Sequence, residues 1–143
     1  MRTAVVALAL LATACTGPSR TDDDYAHKVA HTAQSVASAA QTALVGVGTV
    51  DQGRAYQPYL SVLLGSAEDE ATAAQATLDA VQPPSANADA MHDAVAPVIA
   101  DVVAVLRTLR IEVRRGHLAD LDALARPLDD LVERLDDIAE HRP

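Results

Sequence analysis

The fold class is decided by residues 121–138, which read LDALARPLDDLVERLDDI. Apolar side chains recur in this stretch at alternating spacings of three and four residues, which places them on one face of an α-helix. The members of this seam are Leu121, Leu124, Leu128, Leu131, Leu135 and Ile138. The seam predicts an amphipathic helix over residues 118–140, with Pro127 inside it, that must pack against other helices.

Two more helices are predicted in the first half of the chain. The first begins at Thr21, whose hydroxyl can cap a helix, and it is predicted to end at Gly46 and Gly48 because glycine favours helix ends. The second is predicted over residues 56–81, and its apolar stripe starts with Tyr56. Both segments are rich in alanine on their apolar faces, so the two helices should approach each other closely.

A third helix is predicted to start after Ser85 or Asn87 and to end at Arg115. Pro97 lies well inside this range and predicts either a kink near the second turn or a later true start of the helix. Four helices of twenty-odd residues with mostly short connections predict an antiparallel up-down-up-down four-helix bundle. The fold class is therefore all-α, and residues 22–143 form a single bundle domain.

Composition supports the helical prediction and excludes one class of partner. The chain has 143 residues, thirty of them alanine, and it contains no Trp and no Phe. Alanine is the strongest helix former, whereas aromatic residues are typical of sheets. The formal net charge of −9 argues against nucleic acid as a partner, because a phosphate backbone requires a basic face.

The N-terminus carries the features of an export signal. Arg2 precedes an apolar run over residues 4–12, which is too short for a transmembrane helix but suits a signal peptide. The run ends in LATAC, residues 11–15, and Cys15 is the only cysteine of the chain. This segment resembles the bacterial lipobox. The whole chain, rich in Ala and Arg and poor in Lys, is similar to small lipoproteins of actinobacteria.

The resemblance implies a signal peptide over residues 1–14, acylation of Cys15 and a short tether over residues 15–21. The protein would then be anchored by lipid on the outer face of the bacterial cytoplasmic membrane. The alternative is an ordinary signal peptide that is cleaved before Cys15 and leaves a free thiol. Seven tether residues reach at most about 25 Å, so an anchored domain would lie close to the lipid.

Aspartate and histidine form two identical pairs that suggest a metal site. Asp24 with His27, and Asp89 with His92, both follow the pattern D-x-x-H, which places the two groups on one side of a helix. His31 lies one turn beyond His27. In the predicted bundle both pairs fall at the lipid-proximal end, where the first helix begins. A divalent metal is the one cofactor that the sequence suggests.

Three arginines form a ridge toward the opposite, lipid-distal end. Arg107, Arg110 and Arg114 follow the spacing i, i+3, i+7 on the third helix. One interpretation is that they pair with Asp122 or Asp129 of the neighbouring fourth helix. The other is that they form a docking patch for an acidic protein partner.

The sequence favours binding over catalysis. It contains no GxSxG, SxxK or HExxH motif, and its single lysine and single cysteine leave few nucleophiles. We therefore predict a non-enzymatic, membrane-anchored module that binds a protein or another envelope component. The alternative is a lipoprotein that binds a divalent metal through the proximal histidines and aspartates.

Overall fold

The computed structural model describes residues 19–51 and 56–140, and these residues form an all-α helical bundle, as predicted. Within these two ranges no residue belongs to a β-strand. The helices are α1 (Asp22–Asp51), α2 (Gln57–Asp79), α3 (Ala86–Arg115), α4 (Leu121–Ala125) and α5 (Pro127–Glu140). None of the described helices combines the length and hydrophobicity needed to cross a membrane. The predicted signal peptide (1–14) and Cys15 lie outside the described residues.

Helix α1 begins where the sequence predicts. The Thr21 hydroxyl accepts a hydrogen bond from the backbone N–H of Asp24 at 3.1 Å, and three aspartates in the first turn complement the helix dipole. The helix then continues to Asp51. The predicted end at Gly46 and Gly48 is wrong, because both glycines lie inside α1.

The packing of α1 against α2 explains Gly46. A Cβ atom at this position would lie 2.8 Å from Leu63 Cδ2 and 3.2 Å from Leu60 Cδ1, closer than side chains normally approach. The missing side chain therefore allows the two helices to come together here. A Cβ at Gly48 would have no neighbour within 4 Å, so only the first of the two glycines serves close packing.

Substitutions at the two glycines should therefore have opposite effects on stability. Gly48→Ala is expected to raise the free energy of unfolding by about 0.5–1 kcal/mol, because alanine has the higher helix propensity and meets no neighbour. Gly46→Val is expected to lower it by about 1–3 kcal/mol through overpacking against Leu60 and Leu63. Chemical denaturation followed by circular dichroism measures both. A stabilising Gly46→Val would show that α1 and α2 are not closely packed.

Helix α3 has well-defined caps at both ends. The Ser85 hydroxyl accepts a hydrogen bond from the backbone N–H of Ala88 at 3.2 Å, which confirms Ser85 as the residue before the helix. At the other end, Gly116 adopts a left-handed conformation with φ of 79°, and the N–H of His117 bonds to the carbonyl of Glu112. The helix is continuous through Pro97.

Contacts between helix ends fix the direction of the first three helices. The Gln57 amide at the start of α2 donates to the carbonyl of Val113 near the end of α3, at 2.8 Å. Asp79 at the end of α2 lies 3.3 Å from His92 near the start of α3, so these helices run in opposite directions. Asp22 at the start of α1 accepts a hydrogen bond at 2.6 Å from the Ser85 hydroxyl, which precedes α3.

We call the end that holds Asp22, Asp79 and Ser85 the proximal end, because the chain enters α1 there. The opposite end, which holds Gln57 and Val113, is the distal end. The direction of α5 in the up-down-up-down order stays a prediction.

Pro127 divides the predicted fourth helix. Instead of one helix over residues 118–140, the chain forms the short α4, a single turn residue at Arg126, and then α5, in which Pro127 is the first residue. Proline is well tolerated at this position, because the first N–H groups of a helix have no partner within it. The residue that interrupts one helix thus begins the next.

The core combines mostly small side chains from α1, with Tyr25 as the large exception, and large side chains from the other helices. Val36 and a row of alanines are buried in α1. The largest fully buried side chains include Tyr25, Leu60, Leu64, Leu78, Ile99, Leu106, Leu109, Leu121, Leu128 and Leu135. The predicted leucine seam is buried apart from two members: Leu124 is 36% exposed, and Ile138 is partly buried at the core's edge.

Candidate functional site

The structure does not bring the five predicted metal ligands together. His27 lies 3.6 Å from Asp23, and His92 lies 3.3 Å from Asp79 and 3.8 Å from Asp93. Among the residues that the structure describes, no group of three His, Cys, Asp or Glu side chains could hold a metal ion.

The helical faces give the reason. Asp24, His27, His31 and Asp89 are exposed on the outside of α1 and α3, whereas the buried faces of these helices carry the core. The D-x-x-H spacing places each pair on one side of its own helix. It does not determine whether the two pairs face each other across the bundle.

The proximal end contains a buried tyrosine that the bundle leaves unsatisfied. Tyr25 is fully buried, as its place on the apolar stripe of α1 predicts, but its hydroxyl has no hydrogen-bond partner among residues 19–51 and 56–140. Burial raises the pKa of the Tyr25 phenol above its ordinary value of 10.0, and the carboxylates of Asp89, Asp79 and Asp93 raise it further. The phenol is therefore held in its neutral form next to an acidic surface.

The arginine ridge of α3 pairs with α2, not with the fourth helix. Arg107 Nε lies 3.1 Å from Glu68 Oε1, while Arg110 bonds through Nε to Glu68 Oε2 and through Nη2, at 3.4 Å, to Oε1. Neither Asp122 nor Asp129 pairs with the ridge, and Asp122 lies 3.7 Å from Arg126 instead. The predicted pairing with the fourth helix of the sequence (residues 118–140) is wrong, because the face of α3 that carries this ridge packs next to α2.

Glu68 is the charged centre of this arrangement. The residue is only 8% exposed, and the hydrogen bonds from Arg110 and then Arg107 hold the pKa of its carboxyl below the ordinary range, against the opposing effect of burial. The pKa of Arg110 is raised, mainly by its hydrogen bond to Glu68. One nearly buried carboxylate thus compensates two of the three ridge arginines.

Arg114 is the remaining member of the ridge, and it borders a groove. Its side chain is exposed, and within the described part of the chain no carboxylate lies at ion-pair distance from it. The next residue, Arg115, is paired with Glu112 at 2.9 Å. The groove, between α2 and α3, has a volume of about 420 Å³. Its lining consists of Ser61, Val62, Gly65, Glu68, Asp69, Arg110 and Arg114.

A row of exposed apolar side chains lies beside the groove. Tyr56, Tyr59 and Val62 are 71%, 63% and 69% exposed. Tyr59 and Val62 are neighbours on the surface of α2 because they are three residues apart, and Tyr56 is the extended residue directly before this helix. We call these three residues the tyrosine ridge; Val62 also lines the groove. Val45, likewise exposed, precedes Gly46, which packs on the first turns of α2, so it lies at the same end of the molecule.

Sequence reasoning found the arginine ridge but missed the tyrosine ridge. It assigned Tyr56 to the buried stripe of the second helix, and the structure corrects this, because the core face of α2 starts at Leu60. A signal for the exposed ridge was present: Tyr59 and Val62 fall outside the stripe that contains Leu60 and Leu64.

Comparisons with known proteins give no further assignment, since no protein-family model, no curated protein and no solved structure matches the chain.

Proposed function

We propose that the chain is a bacterial lipoprotein, anchored through Cys15 to the outer face of the cytoplasmic membrane, whose helical bundle binds a protein or envelope component without catalysing a reaction. The lipobox-like run that ends at Cys15 supports the anchor. Helix α1 begins only seven residues later, at Asp22, so the anchor would hold the proximal end near the lipid. The distal end would face away from the membrane.

The main support for a binding role is that the tyrosine ridge is exposed at the distal end. Large apolar side chains grouped on a surface are typical of interaction sites. Tyrosine and arginine are both enriched at the centres of protein–protein interfaces, and here Arg114 lies across the groove from Val62. Helix α3 spans 30 residues, about 45 Å, so a surface at its far end would be accessible to a soluble or membrane-bound partner.

The anchor is tested by Cys15→Ser in the full chain expressed in an actinobacterial host. The parent protein is expected in the membrane fraction and labelled by radioactive fatty acid, because several acyl chains give stable membrane attachment. The variant is expected to be unlabelled and released into the soluble fraction. Thr16→Ser, which keeps the cysteine and changes only its neighbour, is the matched control and should remain anchored.

Both interpretations of the N-terminus place cleavage before Cys15, so the mass of the mature N-terminal peptide separates them. A peptide that begins with an acylated cysteine supports the proposal. A peptide that begins with a free cysteine, together with an unlabelled parent, would contradict the lipid anchor.

A further inference from the structure

We propose that the groove between α2 and α3 binds an acidic segment of a partner protein, with a carboxylate side chain of the partner held by Arg114 and its apolar side chains on the tyrosine ridge. This inference rests on the proposed binding function and specifies the chemistry of the partner.

The charge of the groove favours an acidic occupant at one defined position. Arg107 and Arg110 are already compensated by Glu68, whereas Arg114 borders the groove without an ion-pair partner in the described ranges. A guanidinium offers several N–H donors in a planar arrangement that matches a carboxylate. The positive charge that a ligand meets in this groove is therefore that of Arg114.

The pairing with Glu68 also prepares the groove for its ligand. Because Arg110 is held by the nearly buried Glu68, its side chain lies across α2 beside Gly65, where even an added Cβ would make only an ordinary contact of 3.7 Å with Arg110 Cδ. The groove is thus already formed before a ligand arrives, which lowers the entropic cost of binding.

Asp69, the second acidic residue that lines the groove, determines in which direction the partner segment lies along it. Asp69 lies about two helical turns beyond Ser61 along α2, away from the distal end. Its carboxylate would repel an acidic side chain placed near it. The acidic residue of the partner therefore belongs at the distal end of the groove, close to Arg114.

The tyrosine ridge supplies the apolar part of the contact. Tyrosine side chains bury a large area for the loss of few rotatable bonds, and a charged group next to them becomes more effective as water is excluded. Tyr56 and Tyr59 continue from Val62 toward the distal end, next to the region of Arg114. A segment that combines leucine with glutamate would satisfy both halves of this surface.

The test uses the purified full chain in detergent and three fluorescently labelled peptides with the same leucine framework. The peptides carry glutamate, glutamine or lysine at the polar positions, and binding is measured by fluorescence anisotropy at low and high salt. The glutamate peptide is expected to bind about tenfold more tightly than the glutamine peptide at low salt. This preference should shrink at high salt, because exposed charges are screened.

Two variants test whether Arg114 causes the preference for the glutamate peptide. Arg114→Gln is expected to abolish the preference for glutamate over glutamine. Arg115→Gln, the matched control, changes the adjacent guanidinium that is already paired with Glu112 and should keep the preference. In an NMR titration with the glutamate peptide, amide shifts are expected in residues 56–69 of α2 and 107–116 of α3.

Other results would overturn the inference. Equal binding of the glutamate and glutamine peptides through the tyrosine ridge would refute the acidic partner but leave the proposed binding function in place. Dimerisation of the chain that Tyr59→Ser disrupts would show that a second copy occupies the ridge. No binding of any peptide, or an unchanged preference in Arg114→Gln, would reject this site, and none of these results bears on acylation of Cys15.

Discussion

Leu128→Ala is expected to lower the free energy of unfolding by about 2–5 kcal/mol, the usual range for a buried leucine. Leu128 is the second residue of α5 and is fully buried in the core. The substitution removes its contacts and leaves a cavity that the surrounding helices can fill only in part. Since a domain of this size is stable by about 5–15 kcal/mol, this single change should remove a large share of the total.

Thermal and urea denaturation, followed by helical circular dichroism, measure this loss. Leu124→Ala is the matched control, because Leu124 belongs to the same sequence seam but is 36% exposed and lies in α4. It should cost clearly less than Leu128→Ala. Equal losses at the two positions, or an unchanged midpoint for Leu128→Ala, would show that the seam does not pack as the structure describes.

The sequence predicts correctly those helix ends that are formed by capping residues. Thr21 and Ser85 cap their helices through their own hydroxyl groups, and Gly116 ends α3 in a left-handed conformation. These features depend on residues within a few positions, so one sequence suffices to predict them. The periodicity of the apolar residues likewise predicts the all-α class and most of the buried face of each helix.

The sequence alone predicts Gly46 and Pro127 wrongly, for two different reasons. Gly46 looks like a helix terminator, but its role is set by Leu60 and Leu63 of another helix. Pro127 lies inside the predicted fourth helix, but in the structure it is the first residue of α5. At Gly46, contacts with another helix decide the outcome. At Pro127 the outcome agrees with the local preference of proline for the first turn of a helix, but the apolar seam, which continues past Pro127, does not show that one helix ends there and another begins.

In the candidate site, the sequence predicts the arginine ridge but not the residue that pairs with it. The ridge of Arg107, Arg110 and Arg114 is visible in the sequence because its spacing is local. Its partner, Glu68, depends on the lateral order of the helices and on the register between α2 and α3. Many acidic residues could have taken this role, so the sequence does not single out Glu68.

Tyr25→Ala is expected to have an effect similar in size to that of Leu128→Ala, lowering the free energy of unfolding by about 3–5 kcal/mol. Tyr25 is the largest of the fully buried side chains and fills the core near the start of α1. Its loss leaves a cavity the size of an aromatic ring beneath the proximal end. Urea denaturation of the full chain checks this value, and a loss below about 1 kcal/mol would contradict the burial of the ring.

Tyr25→Phe should act in the opposite direction, because the ring stays and only a hydroxyl is removed that has no partner in the described part of the chain. A buried polar group without a partner costs about 1–3 kcal/mol, so this variant is expected to be more stable than the parent near neutral pH. The pH dependence gives an independent readout. Since the pKa of Tyr25 is raised in the folded state, the unfolded chain loses the phenol proton more easily.

The parent should therefore lose stability as the pH rises above about 10, through the pKa of the folded state. Tyr25→Phe should show a smaller loss over the same range, while Tyr59→Phe, which changes an exposed tyrosine, should follow the parent. An unchanged alkaline loss in Tyr25→Phe would show that Tyr25 does not cause it. If Tyr25→Phe is instead less stable than the parent near neutral pH, the hydroxyl must have a partner in solution. The proximal end would then contain a bound water or ligand that satisfies it.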